Sequence, residues 1–226
     1  MVTNNVDNNH ILLVGKITTE KKFSHEIYGE RFYVFNIEIP RLSGSSDMLP
    51  ITVSERLLVD EALTGKKVLV EGQFRSYNGM ENEKSRLILT VFAKDVKFLE
   101  NEVEIEETKS SNEVILNGYI CKKPIYRQTP FGREIADVLL AVNRSYNKSD
   151  YIPCIAWGRN ARFCQNLEVG KQVRIFGRVQ SRTYEKKFED GTVQSRVAYE
   201  VSVSGMEVIN ENNDTDVNEE ENQEVV

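Results

Sequence analysis

A series of strand-like stretches, in which side chains alternate between two faces, runs along the chain. The second half shows it most clearly. The stretch EVILNGYICKKPIYRQ, from Glu113 to Gln128, is strand-rich, and Gly118 stands where a strand can bend sharply. TPFG, Thr129 to Gly132, has proline and glycine placed for a turn. Ile135 to Val142 is apolar and β-compatible, and Asn143 to Asp150 (NRSYNKSD) reads as a polar loop. In the strand that follows, DYIPCIAWG, one face carries Ile152, Cys154 and Ala156 and the other Tyr151, Pro153, Ile155 and Trp157. Arg159 to Gly170 holds a short helix-like segment ending at a glycine stop. Lys171 to Tyr184 reads as a long strand, KKFEDG (Lys186 to Gly191) as a hairpin tip with an Asp-Gly turn, and Val193 to Val203 as the closing strand.

The first half repeats this plan. A shift of 103 pairs Gly15 with Gly118, Gly29 with Gly132, Arg41 with Arg144 and Pro50 with Pro153. A shift of 105 pairs Gly65 with Gly170 and Gly72 with Gly177, and a shift of 110 pairs Ser85-Arg86 with Ser195-Arg196. The growing offset marks small insertions in loops. Three strands, a short helix and two strands in each copy predict an all-β chain. It is made of two tandem five-stranded Greek-key barrels of the OB type, each with one short helix.

Charge refines the boundaries. Residues 100–113 hold six acids and one base, and residues 210–226 hold seven acids and no base; both read as disordered, an acidic linker and an acidic tail. The expected domains are therefore residues 1–99 and 114–209. The first has 13 bases and 13 acids, the second 15 bases and 9 acids. The net charge of −6 thus comes from the linker and tail, while the second domain is basic enough for a polyanionic partner. The three cysteines form no CxxC pair, and neither the two histidines nor any motif suggests a metal, a cofactor or a catalytic site. No apolar run is long enough to span a membrane and the N-terminus lacks a signal-peptide pattern, so a cytoplasmic protein is expected.

Two rings opposite a small apolar row admit two readings, a second apolar layer or subunit interface, and a platform on which planar bases stack. The ordered series NEVILNG, TPFGREIADVLLAVNRSY, DYIPCIAWG and GKQVRIFGRVQSRTYEKKFEDG resembles the bacterial single-stranded DNA-binding proteins over about 95 residues. The first repeat resembles them more weakly. The resemblance implies sequence-independent binding of single-stranded DNA in replication, recombination and repair, in association with the nucleoid. Tyr151, Trp157 and Tyr184 would be the stacking rings, with Tyr146 a further candidate. Arg144, Lys148, Arg159, Arg162, Arg178, Arg182, Lys186, Lys187 and Arg196 would be the basic partners. Arg178 and Arg182 are four apart in one strand and share a face with Tyr184.

The first repeat departs from this set, with Met48, Ser54 and Gly79 in the places of Tyr151, Trp157 and Tyr184. It is expected to bind weakly or to act as scaffold; among its own rings, Tyr77 is the one with a possible part in binding. Family members generally assemble four barrels, so two per chain imply a homodimer. Their acidic tails recruit replication and repair proteins through a Pro-Phe tip, whereas this sequence stops at Glu224-Val225-Val226. The rival class is an OB-type protein-interaction module, an accessory replication or restart factor.

Overall fold

The computed structural model describes residues 8–58, 62–81, 84–99, 112–188 and 191–209. The expected acidic tail and all but the last two residues of the expected linker lie outside them. Twelve strands run through one continuous sheet in the order β2-β3-β4-β6-β5-β1-β7-β11-β12-β10-β9-β8. They are β1 (Asn9–Ile17), β2 (Lys22–Ile27), β3 (Glu30–Pro40), β4 (Ser46–Ser54), β5 (Lys67–Glu81), β6 (Lys84–Leu99), β7 (Asn112–Ile120), β8 (Ile125–Gln128), β9 (Glu134–Arg144), β10 (Lys148–Trp157), β11 (Gln172–Lys187) and β12 (Val193–Val208). Among the described residues one α-helix, α1 (Arg159–Cys164), lies between β10 and β11.

Two further pairings, β3 with β1 and β9 with β7, close each half on itself. In each half the closing ring includes one parallel pair, β4 with β6 and β10 with β12. That makes two five-stranded barrels, the closure that removes sheet edges. Closure needs β7 to pair with both β11 and β9, so the strand must bend tightly. Gly118 permits this, because a Cβ there would sit 2.5 Å from the Ala141 carbonyl oxygen. Gly15 does the same in β1, 2.7 Å from the Glu38 carbonyl oxygen. Matching register shifts fall at Glu71/Gly72 and Phe176/Gly177, the positions that the 105-residue offset aligns.

The structure differs from the sequence reading in three details. The stretch from Glu113 to Gln128 is two strands, broken after Ile120, with β8 an arm paired only to β9. The expected loop from Asn143 to Asp150 shrinks to Ser145–Asn147, since Arg144 pairs with Lys148 and Asn143 with Ser149. Polar composition suggested a loop there, but the ladder tolerates polar side chains. The tight reversal is made by left-handed backbone at Tyr146 and Asn147. In the first barrel the described residues of the helix position form a 3-10 turn, Glu55–Leu57, capped by the Ser54 hydroxyl.

The barrels join through β1 and β7, antiparallel, with Ile11 opposite Val114. The 103-residue offset carries Ile11 onto Val114, so the local two-fold axis of the repeat passes through this pair. Because the start of each strand is given to the other barrel, a side chain completes the ladder at home. Asn9 bonds both the N–H and C=O of Phe74, at 2.8 Å each, and Asn112 bonds those of Val179, at 2.9 and 2.7 Å. The core fills both barrels with aliphatic side chains and with Phe35 and Phe74.

Two buried carboxylates pin the barrels together. Asp150 Oδ1 accepts the Ser76 N–H at 2.7 Å, and the Tyr151 N–H donates to Ser76 Oγ at 2.7 Å. Across the axis, Asp47 Oδ1 accepts the Ser181 N–H at 2.7 Å, and the Met48 N–H donates to Ser181 Oγ at 3.0 Å.

Candidate nucleic-acid interface

Strand β10 is held by β9 along its whole length and by β12 at Cys154 and Ile155. Its inner row, Ile152, Cys154 and Ala156, is buried. On the outer row Tyr151 is 47% and Trp157 38% exposed, with Pro153 half-buried between them and Ile155 buried. The alternation therefore leaves both rings accessible on one face of a rigid strand. The tryptophan position ends the strand, just before Gly158 and α1.

Tyr184 reaches the same region from β11. It lines a groove of about 450 Å³ with Pro153, Leu87, Val197 and Tyr199. Pro153 thus links the outer row of β10 to Tyr184. The Arg182 guanidinium lies 5.7 Å from the Tyr184 ring centre, in the range of a cation–π contact, and 3.9 Å from Glu200. Further out on the same hairpin, Lys186 and Arg196 both lie over the Phe188 ring, at 5.2 and 5.7 Å. Lys187 is exposed beside them. In the sequence KKFEDG reads as a polar turn, which hides Phe188; the signal for it is a phenylalanine following two lysines at a hairpin tip.

The remaining candidates sit at the seam between barrels. Arg144, Tyr146 and Lys148 line a groove of about 720 Å³ with Asp150, opposite Gln73, Arg75 and Lys94 of the first barrel. Tyr146 is fully exposed at the β9–β10 turn. Arg144 touches Asp150 through one 3.4 Å contact. Arg178 lies across the axis, where its Nη1 donates to Asp47 at 3.2 Å. It shares the strand with Tyr184, as expected, but its charge is partly spent on the seam. Arg159 is exposed at the start of α1. Arg162 donates to Glu134 at 2.8 Å. Glu134 also accepts the Tyr126 hydroxyl at 2.6 Å; that bond and the guanidinium hold its carboxyl below the ordinary range, while the bond to the carboxylate pushes the Tyr126 phenol up.

In the first barrel Ser54 stands where Trp157 would, and its cross-strand neighbour Phe32 is buried on the outer face. His25 stacks on Phe32 at 4.9 Å and Phe92 packs at 5.7 Å. Tyr77 is half exposed on β5. Among the described residues no helix is long and apolar enough to cross a membrane, and no three His, Cys, Asp or Glu side chains are grouped to hold a metal.

Two closed five-stranded barrels, with rings and cations exposed on the second, define a chain of the OB class. The model of the single-strand binding protein family matches residues 111–209. Single-stranded DNA-binding protein B of Bacillus subtilis is 37% identical over 86 residues, 34% of this chain and 74% of that protein. The single-stranded DNA-binding protein of Clostridium tetani is 39% identical over 88 residues, 36% of this chain and 59% of that protein. The chain thus belongs to the single-strand binding protein family. It spans 59%, 51% and 60% of three of its curated relatives. The wild-type single-stranded DNA binding protein of Thermus aquaticus shares the fold over both barrels, with a TM-score of 0.70 at 20% identity. That match covers 89% of this chain and 93% of that one.

Proposed function

We propose that this chain binds single-stranded DNA with little regard to sequence, and protects it during replication, recombination and repair. The observation that carries the reading is the outer row of β10, where Tyr151 and Trp157 stay accessible on a strand whose other face is core. Bases would stack on Tyr151, Trp157, Tyr184 and Tyr146, each ring contributing about 1–3 kcal/mol. The phosphates would follow Arg144, Lys148, Arg159, Arg182, Lys186 and Arg196, with Arg178 at the seam end of the track. The mechanism is passive and needs no catalysis and no cofactor. A homodimer would present four barrels, and the acidic tail would act as an electrostatic competitor for the basic face.

The test is fluorescence anisotropy of a labelled oligo-dT against unlabelled single-stranded and duplex competitors. Displacement by single strands of any sequence and not by duplex supports the reading. Absence of binding to oligo-dT would move the chain to the class of OB-type assembly modules.

A further inference from the structure

The end rung of β9 and β10 pairs Ile135 with Trp157, so in the second barrel the ring stands on β10. The 103-residue offset carries this rung onto Phe32 and Ser54, so in the first barrel the ring stands on the neighbouring strand, β3. We propose that His25, Phe32 and Phe92 form a stacking column for a nucleobase on the first barrel, and that His25 is the ring the base meets. The inference rests on the single-strand reading above.

The column lies on the outer face that corresponds to the Tyr151 and Trp157 face. Phe92 pairs with Thr52 across the parallel rung, where the second barrel pairs Ser202 with Ile155. Phe92 and Phe32 pack with ring centres 5.7 Å apart. His25 lies 4.9 Å from Phe32 and within 8° of parallel, which is stacking geometry. The Arg75 guanidinium, 4.5 Å from the Phe92 centre, closes the far end. Phe32 is buried, whereas His25 is half-buried and ends the column on the solvent side. At the same rung the second barrel has Arg127 opposite Ile135, held by Asp137 at 2.9 Å. The arm strand thus reaches this position in both barrels, with a cation in one and a ring in the other.

A bulge aims His25 there. The register of β2 shifts between Phe23 and His25, so Phe23 faces Tyr33 while His25 faces Phe32. Tyr33 and Phe32 point to opposite sides of β3, and Phe23 meets Tyr33 edge-on at 6.1 Å. Without the extra residue, Ser24, Phe23 and His25 would share a side. Bulges re-aim side chains in this way beside binding sites. Ser24 also shares a 2.9 Å hydrogen bond with His25 Nδ1, which fixes the ring. A ring fixed beforehand loses little entropy when a base arrives. Cations precede it, since Glu-Lys-Lys-Phe occurs from Glu20 and again from Glu185, on the hairpin of the proposed track. The nearby Glu30 carboxylate takes the Ser54 hydroxyl and faces Arg56 at 3.4 Å, so it is compensated. Leucine would cover Phe32 as well as histidine does; a planar ring adds a surface on which a base can stack.

The test uses the full chain and labelled oligo-dT long enough to cover both barrels, followed by anisotropy. His25→Leu keeps Phe32 covered but removes the ring, and is expected to weaken binding about tenfold, the loss of one base stack. His25→Tyr restores a ring and is expected to bind as the wild type does. A separate variant, Trp157→Phe/His25→Trp, moves the only tryptophan onto the column, and its emission should be quenched by oligo-dT. Wild-type affinity in His25→Leu, or an unquenched reporter at saturating oligo-dT, overturns the column as a binding site. If Tyr151→Ala still weakens binding in that case, the function stands without it. A wild-type chain that does not bind oligo-dT overturns both.

Discussion

The carboxylate of Asp47 accepts the backbone N–H of Ser181 at 2.7 Å, joining residues of different barrels. Its repeat partner Asp150 makes the same bond to Ser76. The two pins are not equal, because Asp47 also neutralises Arg41 and Arg178 whereas Asp150 keeps one oxygen unpaired. Removing one partner of a buried ion pair leaves the other uncompensated, so Asp47→Ala should cost about 3 kcal/mol. Asp150→Ala mainly orphans the Ser76 N–H and also removes an unsatisfied oxygen, so it should cost about 1–2 kcal/mol. Urea unfolding of both variants checks the order; equal losses would mean the pins are equivalent.

The bend of β7 gives a second prediction. A methyl at Gly118 would meet the Ala141 carbonyl at 2.5 Å and Leu140 at 3.0 Å. Gly118→Ala should lower stability by about 1–3 kcal/mol through overpacking. Gly205→Ala, where the nearest atom is 3.6 Å away, should be close to neutral. Thermal melts of the pair decide whether closure depends on this glycine.

Burial pushes the Cys164 thiol up from 9.0 to about 11, and burial together with nearby thiols and Glu200 pushes Cys154 higher still. The unfolded chain releases these protons from about pH 9, while the folded chain keeps them. The resulting stability is therefore present below about pH 9 and is lost as the pH climbs toward 11. The urea midpoint should fall across that window, and less in Cys164→Ala. At neutral pH, alkylation of the native protein should spare Cys154 and Cys164. A midpoint that stays level would contradict the assignment.

Binding and stability should separate along β11. Arg178 meets Asp47 at 3.2 Å, whereas Arg182 lies over Tyr184. Arg178→Ala should therefore lower the urea midpoint more than Arg182→Ala does. Arg182→Ala should weaken oligo-dT binding more. The reverse order would place the basic track on the seam side.

Much of this was legible in the sequence. The drifting offset of 103, 105 and 110 aligns Gly72 with Gly177, where the structure has equivalent bulges, and period-two alternation assigns both faces of β10. The pins between barrels were not read, although Asp47 and Asp150 share one offset and Ser76 and Ser181 another. Asp150 was grouped with a polar loop, because nothing local says that an aspartate will be buried by a strand 74 residues away. The split of β7 from β8 and the short β9–β10 turn were missed for a related reason. Strand ends are set by the partner strand, which composition does not reveal.

Trp157 stands on the face proposed to carry the single strand, and its own fluorescence reports whether DNA meets it. Titration with oligo-dT should quench the emission strongly, salt should reverse the quenching, and duplex DNA should have little effect. Tight oligo-dT binding with unchanged Trp157 emission would contradict the placement of this ring in the site.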